Sequence, residues 1–437
     1  METIEEQSIA IRAVAYAPSR VIPKRVQRVA IVGFGTVGRS VARILSEGVP
    51  GFTLTHIANR NVERKRVDWV SENVTWTSDF SEVLASEAEV IVELIGGIHP
   101  AKEWISAALK SGRSVVTANK QLIAAHGTEL AALARRHEQT ISYGAAVCGG
   151  IPVLSALEHG LAGDTIVRLR GVLNGTCNYI LSRMESGHVL FEDALAEAQQ
   201  LGYAEADPTD DLDGFDARAK LTILARTAFH CRVSTEQILA RSIRRVQDVD
   251  FVYARRLGCT IRQLSSAAVG RDELVATVEP ALVPVASSVA STHGSQNVLI
   301  ATGKFGGDCV FSGFGAGGNP TAVAVVSDLR ELDDQGPRAI LSNAQRQLSI
   351  TANITVPYYL RLVINDKPGL LARIATVLSE HNINIDAVLQ EPGYPKERLP
   401  FVLTLDPCSR NAVEAAVAEI DQFDFLAEPA LYMPITN

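Results

Sequence analysis

Along its first third the chain alternates short apolar runs with stretches in which apolar residues recur every three to four positions. Over residues 26–146 this pattern predicts strands at 26–32, 53–58, 90–94, 114–117 and 140–143. Helical stretches lie between them, such as 36–45, where Val37, Val41, Ile44 and Leu45 share one stripe. Strands alternating with helices imply a parallel sheet covered on both faces. From Ile151 to about Leu341 the pattern is mixed, with a helix at 214–229 and strand-like segments at 165–173 and 297–302, which suggests a separate α+β body. A polar segment, 333–352, then separates it from a tail whose pattern reads strand 358–364, helix 369–381, strands 383–390 and 399–405, helix 410–422 and strand 430–434. That βαββαβ order is the ferredoxin-like arrangement. The expected organisation is an extension at 1–25, a Rossmann-type body at 26–146, an α+β body at 147–341, a linker at 342–356 and a compact tail at 357–437.

The first strand runs into Gly33-Phe34-Gly35-Thr36-Val37-Gly38, a Gly-x-Gly-x-x-Gly sequence opening a helix. The first glycine permits a tight turn, the second lets backbone approach a pyrophosphate, and the third lets the helix pack on the sheet. The helix N-terminus then faces the phosphates. Gly33–Ser40 also comes within one residue of a P-loop, but Arg39 stands where that loop needs lysine, and a planar guanidinium does not replace a compact ammonium in a phosphate cradle.

With 437 residues the chain has room for about three domains. A formal charge of -8 disfavours a surface dedicated to nucleic acid or anionic membrane, so small-molecule chemistry is expected. The six cysteines form no Cys-x-x-Cys pair and no short metal spacing, which fits a reducing cytoplasm and excludes a disulfide scaffold. The start is acidic (Glu2, Glu5, Glu6), unlike an export signal, and the longest uncharged stretch, 141–157, contains three glycines and Pro152, which suit a turn rather than a membrane helix.

Residues 202–216 form a dense acidic loop ahead of the predicted helix. An EF-hand frame on Asp211, Asp213 and Gly214 fails at two anchors, Thr209 and Lys220. On the helix, Asp216 and Lys220 are four apart on one face, with Leu221, Leu224 and Ala228 on the other. They read either as a solvent-exposed pair, stabilising the helix by about 0.3–0.5 kcal/mol, or as a general acid–base lysine whose pKa burial draws down, oriented by the aspartate.

A series of segments in one order resembles homoserine dehydrogenase, in its monofunctional form with a C-terminal ACT domain. They are 33–38, Val92-Glu93-Leu94-Ile95-Gly96-Gly97, Thr117-Ala118-Asn119-Lys120, Gly149-Gly150-Ile151-Pro152, Asn174-Gly175-Thr176-Cys177-Asn178-Tyr179-Ile180, 202–220, and Gly315-Ala316-Gly317 with Pro320-Thr321-Ala322. The opening of the tail, 360–371, resembles an ACT domain with its strand-to-helix turn at Asp366 to Gly369. The resemblance implies an NAD(P)-dependent cytoplasmic enzyme interconverting L-homoserine and L-aspartate 4-semialdehyde in the biosynthesis of threonine, methionine and isoleucine. It also implies a homo-oligomer, dimer or tetramer, with 147–341 as catalytic and dimerisation domain. L-threonine is the expected effector of the ACT domain, the alternative being a module for oligomerisation alone.

By matching position, Lys220 would transfer the proton, Lys120 would stand near the nicotinamide and the reacting oxygen, and Asp216 would place the substrate hydroxyl or a water. Glu205 would hold the substrate ammonium, and Thr176 would join the substrate site. Alkoxide charge developing at the aldehyde oxygen suits a positioned ammonium, and two neighbouring lysines lower each other's pKa. Gly33, Phe34, Gly35, Thr36, Val37 and Gly38 would contact the cofactor. Ala58-Asn59-Arg60 puts no carboxylate at the end of the second strand, and Arg60, Lys65 and Arg66 suit a 2′-phosphate, so NADP is expected over NAD. A structural sodium is implied on the main-chain carbonyls of Gly144, Val147, Gly149 and Ile151. Gly144 replaces the glutamate most relatives carry, so any side-chain contribution is expected to be lost. Phe314 also stands where relatives usually carry proline, between Gly313 and Gly315. An aspartate-semialdehyde dehydrogenase would use Cys148 as nucleophile, but with no histidine near it in sequence it reads as a buried structural thiol. A non-catalytic sensor leaves Lys120, Glu205, Asp216 and Lys220 together unexplained.

Overall fold

The structure, a computed structural model, describes residues 26–187, 189–335 and 346–436. The expected extension at 1–25 lies outside them. Six parallel strands, β1 (Gln27–Val32), β2 (Phe52–Ala58), β3 (Thr75–Thr77), β4 (Val90–Glu93), β5 (Ser114–Thr117) and β6 (Ile141–Ser142), lie in the order β3-β2-β1-β4-β5-β6. This is the doubly wound dinucleotide-binding order, reversing between β1 and β4. The helices are α1 (Thr36–Gly48), α2 (Val62–Lys65), α3 (Phe80–Ala85), α4 (Ala101–Lys110) and α5 (Lys120–Arg136). The central strands are buried on both faces, which is why they read as continuous apolar runs. The short edge strand β3 carries no such run.

The second body is a seven-stranded sheet formed by β7 (Ile166–Val172), β8 (Leu239–Ala240), β9 (Cys259–Val269), β10 (Glu273–Pro284), β11 (Gln296–Gly303), β12 (Gly307–Phe314) and β13 (Ser349–Thr351). With it go α6 (Val153–Ser155), α7 (Gly175–Gly187), α8 (Phe191–Gln200), α9 (Thr209–Leu212), α10 (Phe215–Phe229), α11 (Asp248–Arg256) and α12 (Gly318–Gln335). The path is β12-β11-β7-β9-β10-β13, with β8 paired to β10. Two placements differ from the pattern-based expectation. Part of the 342–356 segment expected as linker is β13, which pairs in parallel with β10 (Glu273 opposite Ser349). And α12 returns to the first body, where Ala322, Val325, Val326 and Leu329 share a core with Val29, Ile31, Val41 and Leu45.

The tail folds as expected: β14 (Thr355–Ile364), α13 (Leu370–Glu380), β15 (Ile385–Gln390), β16 (Leu399–Ser409), α14 (Arg410–Ile420) and β17 (Leu426–Pro434), with antiparallel order β15-β16-β14-β17. Strand period two sorts β14 cleanly. Tyr358, Leu360 and Leu362 pack beneath α13 and α14, whereas Tyr359 joins Val402, Leu431 and Met433 against Phe251, Tyr253 and Leu282 of the second body. The central strands β14 and β16 are therefore covered on both faces, while edge strand β15 stays partly exposed.

Candidate active site

The glycine turn sits where the sheet order reverses. Gly33 has φ 105°, a left-handed conformation suited to glycine, and a Cβ on Gly38 would overlap the Gly33 carbonyl, so that α1 closes directly on the turn. At Gly35 the same addition meets open space, on the exposed lip before the N-terminus of α1. The turn is held from β2: Asn59 Oδ1 accepts from the Phe34 amide at 3.1 Å, and the buried Phe34 ring packs on Trp76, 4.9 Å between centroids. Thr36 is exposed and Val37 lines a cavity of about 290 Å³ beyond the turn. Arg60, next to Asn59, is exposed at this same edge.

Across that cavity the two bodies meet through three charges. Asp216 Oδ2 accepts from Lys220 Nζ at 2.7 Å within α10, and Asp216 Oδ1 pairs at 2.9 Å with Lys120 Nζ from the first turn of α5. Asp216 and Lys220 are each 7% exposed, which excludes the solvated helix pair. Lys220 Nζ also donates to the Leu173 carbonyl at 2.8 Å. Burial pushes the Asp216 carboxyl up, but the two ammonium charges overcome it and hold the group well below the usual range. The expected mutual lowering of the lysines fails at Lys120. Its pKa is raised, first by the Asp216 charge, because the carboxylate lies between the two cations.

Lys120 and Lys220 line both the smaller cavity and an adjoining one of about 940 Å³. The larger cavity also takes in Glu205, Thr176 and Asp216. Glu205 is exposed there, and the Thr176 hydroxyl donates to the Tyr203 carbonyl at 2.7 Å. The structure thus brings together Lys120, Lys220, Asp216, Glu205 and Thr176. Cys148 reaches the smaller cavity with φ 57°, its thiol buried and pushed up to about 11 by burial, as suits an unreactive thiol.

The 144–151 turn forms the cavity's floor. The carbonyls of Gly144 and Ile151 each accept one main-chain amide, from Val147 and Val153, which leaves each a further lone pair. A carboxyl from another helix stands beside Gly144. Asp328 on α12 accepts from the Ala145 amide at 3.2 Å and fills the space where a Gly144 side chain would start. Burial raises the Asp328 carboxyl to about 8. A turn rich in carbonyl oxygens beside a buried carboxyl suits a hard cation. Among the described residues no cluster of three or more His, Cys, Asp or Glu side chains is disposed to hold a metal.

Several supporting residues escaped the sequence reading. Asn174 Nδ2 bridges Asp211 Oδ1 at 2.6 Å and Asp216 Oδ2 at 2.9 Å. Glu93, buried at the end of β4, accepts from the Ile95 amide at 2.8 Å and from Thr117 Oγ1 at 2.6 Å; Thr117 Oγ1 in turn accepts from the Asn119 amide at 3.0 Å. Asn119 donates to the Gly97 carbonyl at 2.6 Å and caps α5 at Leu122, directly before Lys120. These residues lie inside the quoted motifs, and their signal is a polar residue at the end of an otherwise apolar strand. Asp328 carried no local signal, since its partner is 183 residues away.

Residues 33–144 match the homoserine dehydrogenase NAD-binding domain family, residues 152–329 the homoserine dehydrogenase family and residues 358–425 the ACT domain family. A homoserine dehydrogenase of Mycobacterium leprae is 40% identical over 439 residues, covering 95% of this chain and 97% of its own length. The crystal structure of a homoserine dehydrogenase from Thiobacillus denitrificans is similar with a TM-score of 0.86 and 33% identity, covering 94% of this chain and 99% of that one. A hyperthermophilic archaeal homoserine dehydrogenase in complex with NADPH is similar with a TM-score of 0.62 and 26% identity, covering 71% of this chain and 99% of that one. Among the described residues no helix is long and apolar enough to cross a membrane.

Proposed function

The chain belongs to the homoserine dehydrogenase family, NAD(P)-dependent oxidoreductases acting on a CH–OH group, and we propose that its reaction runs across the Lys120–Asp216–Lys220 bridge, with NADP as preferred cofactor. When bound, the nicotinamide supplies or accepts the hydride. Lys220 gives a proton to the aldehyde oxygen during reduction and takes it from the homoserine hydroxyl during oxidation. Lys120 stabilises the negative charge developing on that oxygen. Asp216 holds both ammonium groups at one point, Glu205 binds the substrate ammonium, and Thr176 shapes the pocket beside it. The single observation carrying this reading is a carboxylate shared by two lysines, one from each body, that line both cavities.

Gly33, Gly35, Thr36, Val37 and Gly38 would line the pyrophosphate and nicotinamide path, with Phe34 setting the turn. Arg60 would meet the 2′-phosphate, supported by the absence of a carboxylate in Ala58-Asn59-Arg60 and by the NADPH complex of the archaeal relative. The carbonyls of Gly144, Val147, Gly149 and Ile151, with Asp328 alongside, would hold sodium. The ACT domain would bind L-threonine near Asp366 to Gly369. The domain limits follow 26–146, 147–341 and 357–437, with α12 and β13 crossing them. Exposed Phe305 and the exposed Val310 and Phe314 of edge strand β12 support self-association into a dimer or tetramer. Six free cysteines suit the cytoplasm.

The test is homoserine oxidation with NADP and NAD in parallel, with and without threonine. Faster turnover with NADP and inhibition by threonine are expected. Lys220→Ala is expected to lower kcat at least about 100-fold while leaving NADPH binding intact; near-normal turnover refutes the role given to Lys220.

A further inference from the structure

The 241–247 connection between β8 and α11 is anchored at both ends of a gap between the acidic loop and the ACT domain. Toward the loop, Ser242 Oγ donates to Asp213 Oδ1 at 2.6 Å and Arg244 Nε donates to the same oxygen at 3.1 Å. The Ile243 amide donates to the Leu212 carbonyl at 3.0 Å. Toward the ACT domain, the Arg241 guanidinium lies 3.7 Å over the Tyr432 ring and donates to the Tyr432 carbonyl at 3.2 Å. Arg245 donates to the Pro429 and Ala430 carbonyls, Arg361 donates to the Arg245 carbonyl at 3.2 Å, and Gln247 Nε2 donates to Glu428 Oε1 at 2.9 Å.

Asp213 directly precedes Gly214, whose left-handed φ of 80° turns the chain into α10, and Asp216 follows in the first turn of that helix. The Asp213 carboxylate accepts from both a hydroxyl and a guanidinium, and charge-assisted hydrogen bonds are stronger than neutral ones, though the exposure of Arg244 keeps this pair's contribution modest. Whatever moves Asp213 reorients the start of α10, and with it Asp216, which both lysines share.

We propose that Ser242 and Arg244 are positioning residues for Asp216 and Lys220, and that the 241–247 connection ties that placement to the ACT domain. The proposal rests on the catalytic reading of Asp216 and Lys220. Its physical content is a short connection whose Arg241, Arg245 and Gln247 hold the ACT sheet while Ser242, Ile243 and Arg244 between them hold the α9–α10 junction. A shift of the ACT sheet thus has a direct route to the cleft beside the one through β10, which Arg241 also touches at the Val278 carbonyl and Glu279.

Arg244 and Arg245 are both exposed, so alanine at either leaves the cores intact. In the full-length chain Arg244→Ala is expected to reduce kcat/KM for homoserine about 5- to 10-fold, with Ser242→Thr retaining most of it and the Kd for NADPH unchanged. Arg245→Ala, whose side chain holds the ACT domain, is expected to reduce it in the same direction. The double variant should be little worse than the poorer single, because both cut one link. Unchanged kcat/KM in the folded variants, or effects that multiply, overturns the proposal. Amide hydrogen exchange over 209–216 reads the link without turnover: faster exchange in Arg245→Ala supports it, and unchanged exchange refutes it. A wild-type chain inactive on homoserine refutes the catalytic reading instead, and the exchange result still decides whether the connection couples the two regions.

Discussion

Asp216, itself buried, places one negative charge against two positive ones, and its environment decides how the protein answers to pH. A carboxyl held below its ordinary value of 3.8 adds stability that is fully present above that value and is lost as pH falls through the lower folded value. Lys120, raised above 10.5, adds stability that is present below that value and lost as pH rises through the folded one. The bridge is therefore intact across the neutral range. Urea unfolding is expected to show wild-type stability falling more steeply below about pH 4 than that of Asp216→Asn. At neutral pH the Asn variant, which leaves a buried ammonium without its counter-charge, should lose on the order of 3 kcal/mol. Parallel slopes would mean the aspartate does not titrate as the geometry requires. The four-residue spacing of Asp216 and Lys220 was visible in the sequence because helix geometry alone fixes it. Lys120 joins them only through tertiary packing, so its raised pKa was not legible and the opposite was expected.

At the scale of elements, α10 begins on a glycine that no other residue replaces without strain. Gly214 has φ 80°, and a Cβ there would lie 3.1 Å from Val278 Cγ1 on β10. Gly214→Ala is expected to cost about 1–2 kcal/mol, the penalty for a left-handed non-glycine residue, and to lower kcat, read by thermal unfolding and initial rates; equal stability would show that the turn relaxes freely. Where the period was regular it was legible: β1, β2, β5 and the ACT elements fall within a few residues of expectation. The long β9 and β10 of the second sheet, buried on both faces along much of their length, blend into the mixed pattern of 151–341 and were not singled out. Three short strands were missed for a different reason. β3, β8 and β13 span two or three residues each, too few for any period to register, and they exist because longer neighbours offer them an edge. Asp328 was illegible for a related reason, since α12 carries it back to a turn far upstream.

Across the whole molecule the ACT domain is docked through buried ion pairs rather than tethered. Asp250 of α11 is paired with Arg361 and accepts from Tyr359 Oη at 2.6 Å, while Arg410 pairs with Glu279 of β10. Burial raises the Asp250 carboxyl, and the Arg361 charge opposes that rise. Arg361→Ala would leave that carboxyl buried without its cation, an expected loss of about 3–5 kcal/mol in urea unfolding. A loss below about 1 kcal/mol, ordinary for exposed pairs, would show the interface to be open to solvent. The apolar side of α12 has a different consequence. Ala322, Val325 and Leu329 complete a wall of the nucleotide-binding body from beyond the large sheet, so that body is no portable cassette. Shuffling its 120 or so residues into another enzyme would carry the glycine turn along but leave a greasy flank bare, which binds its evolution to that of the second body.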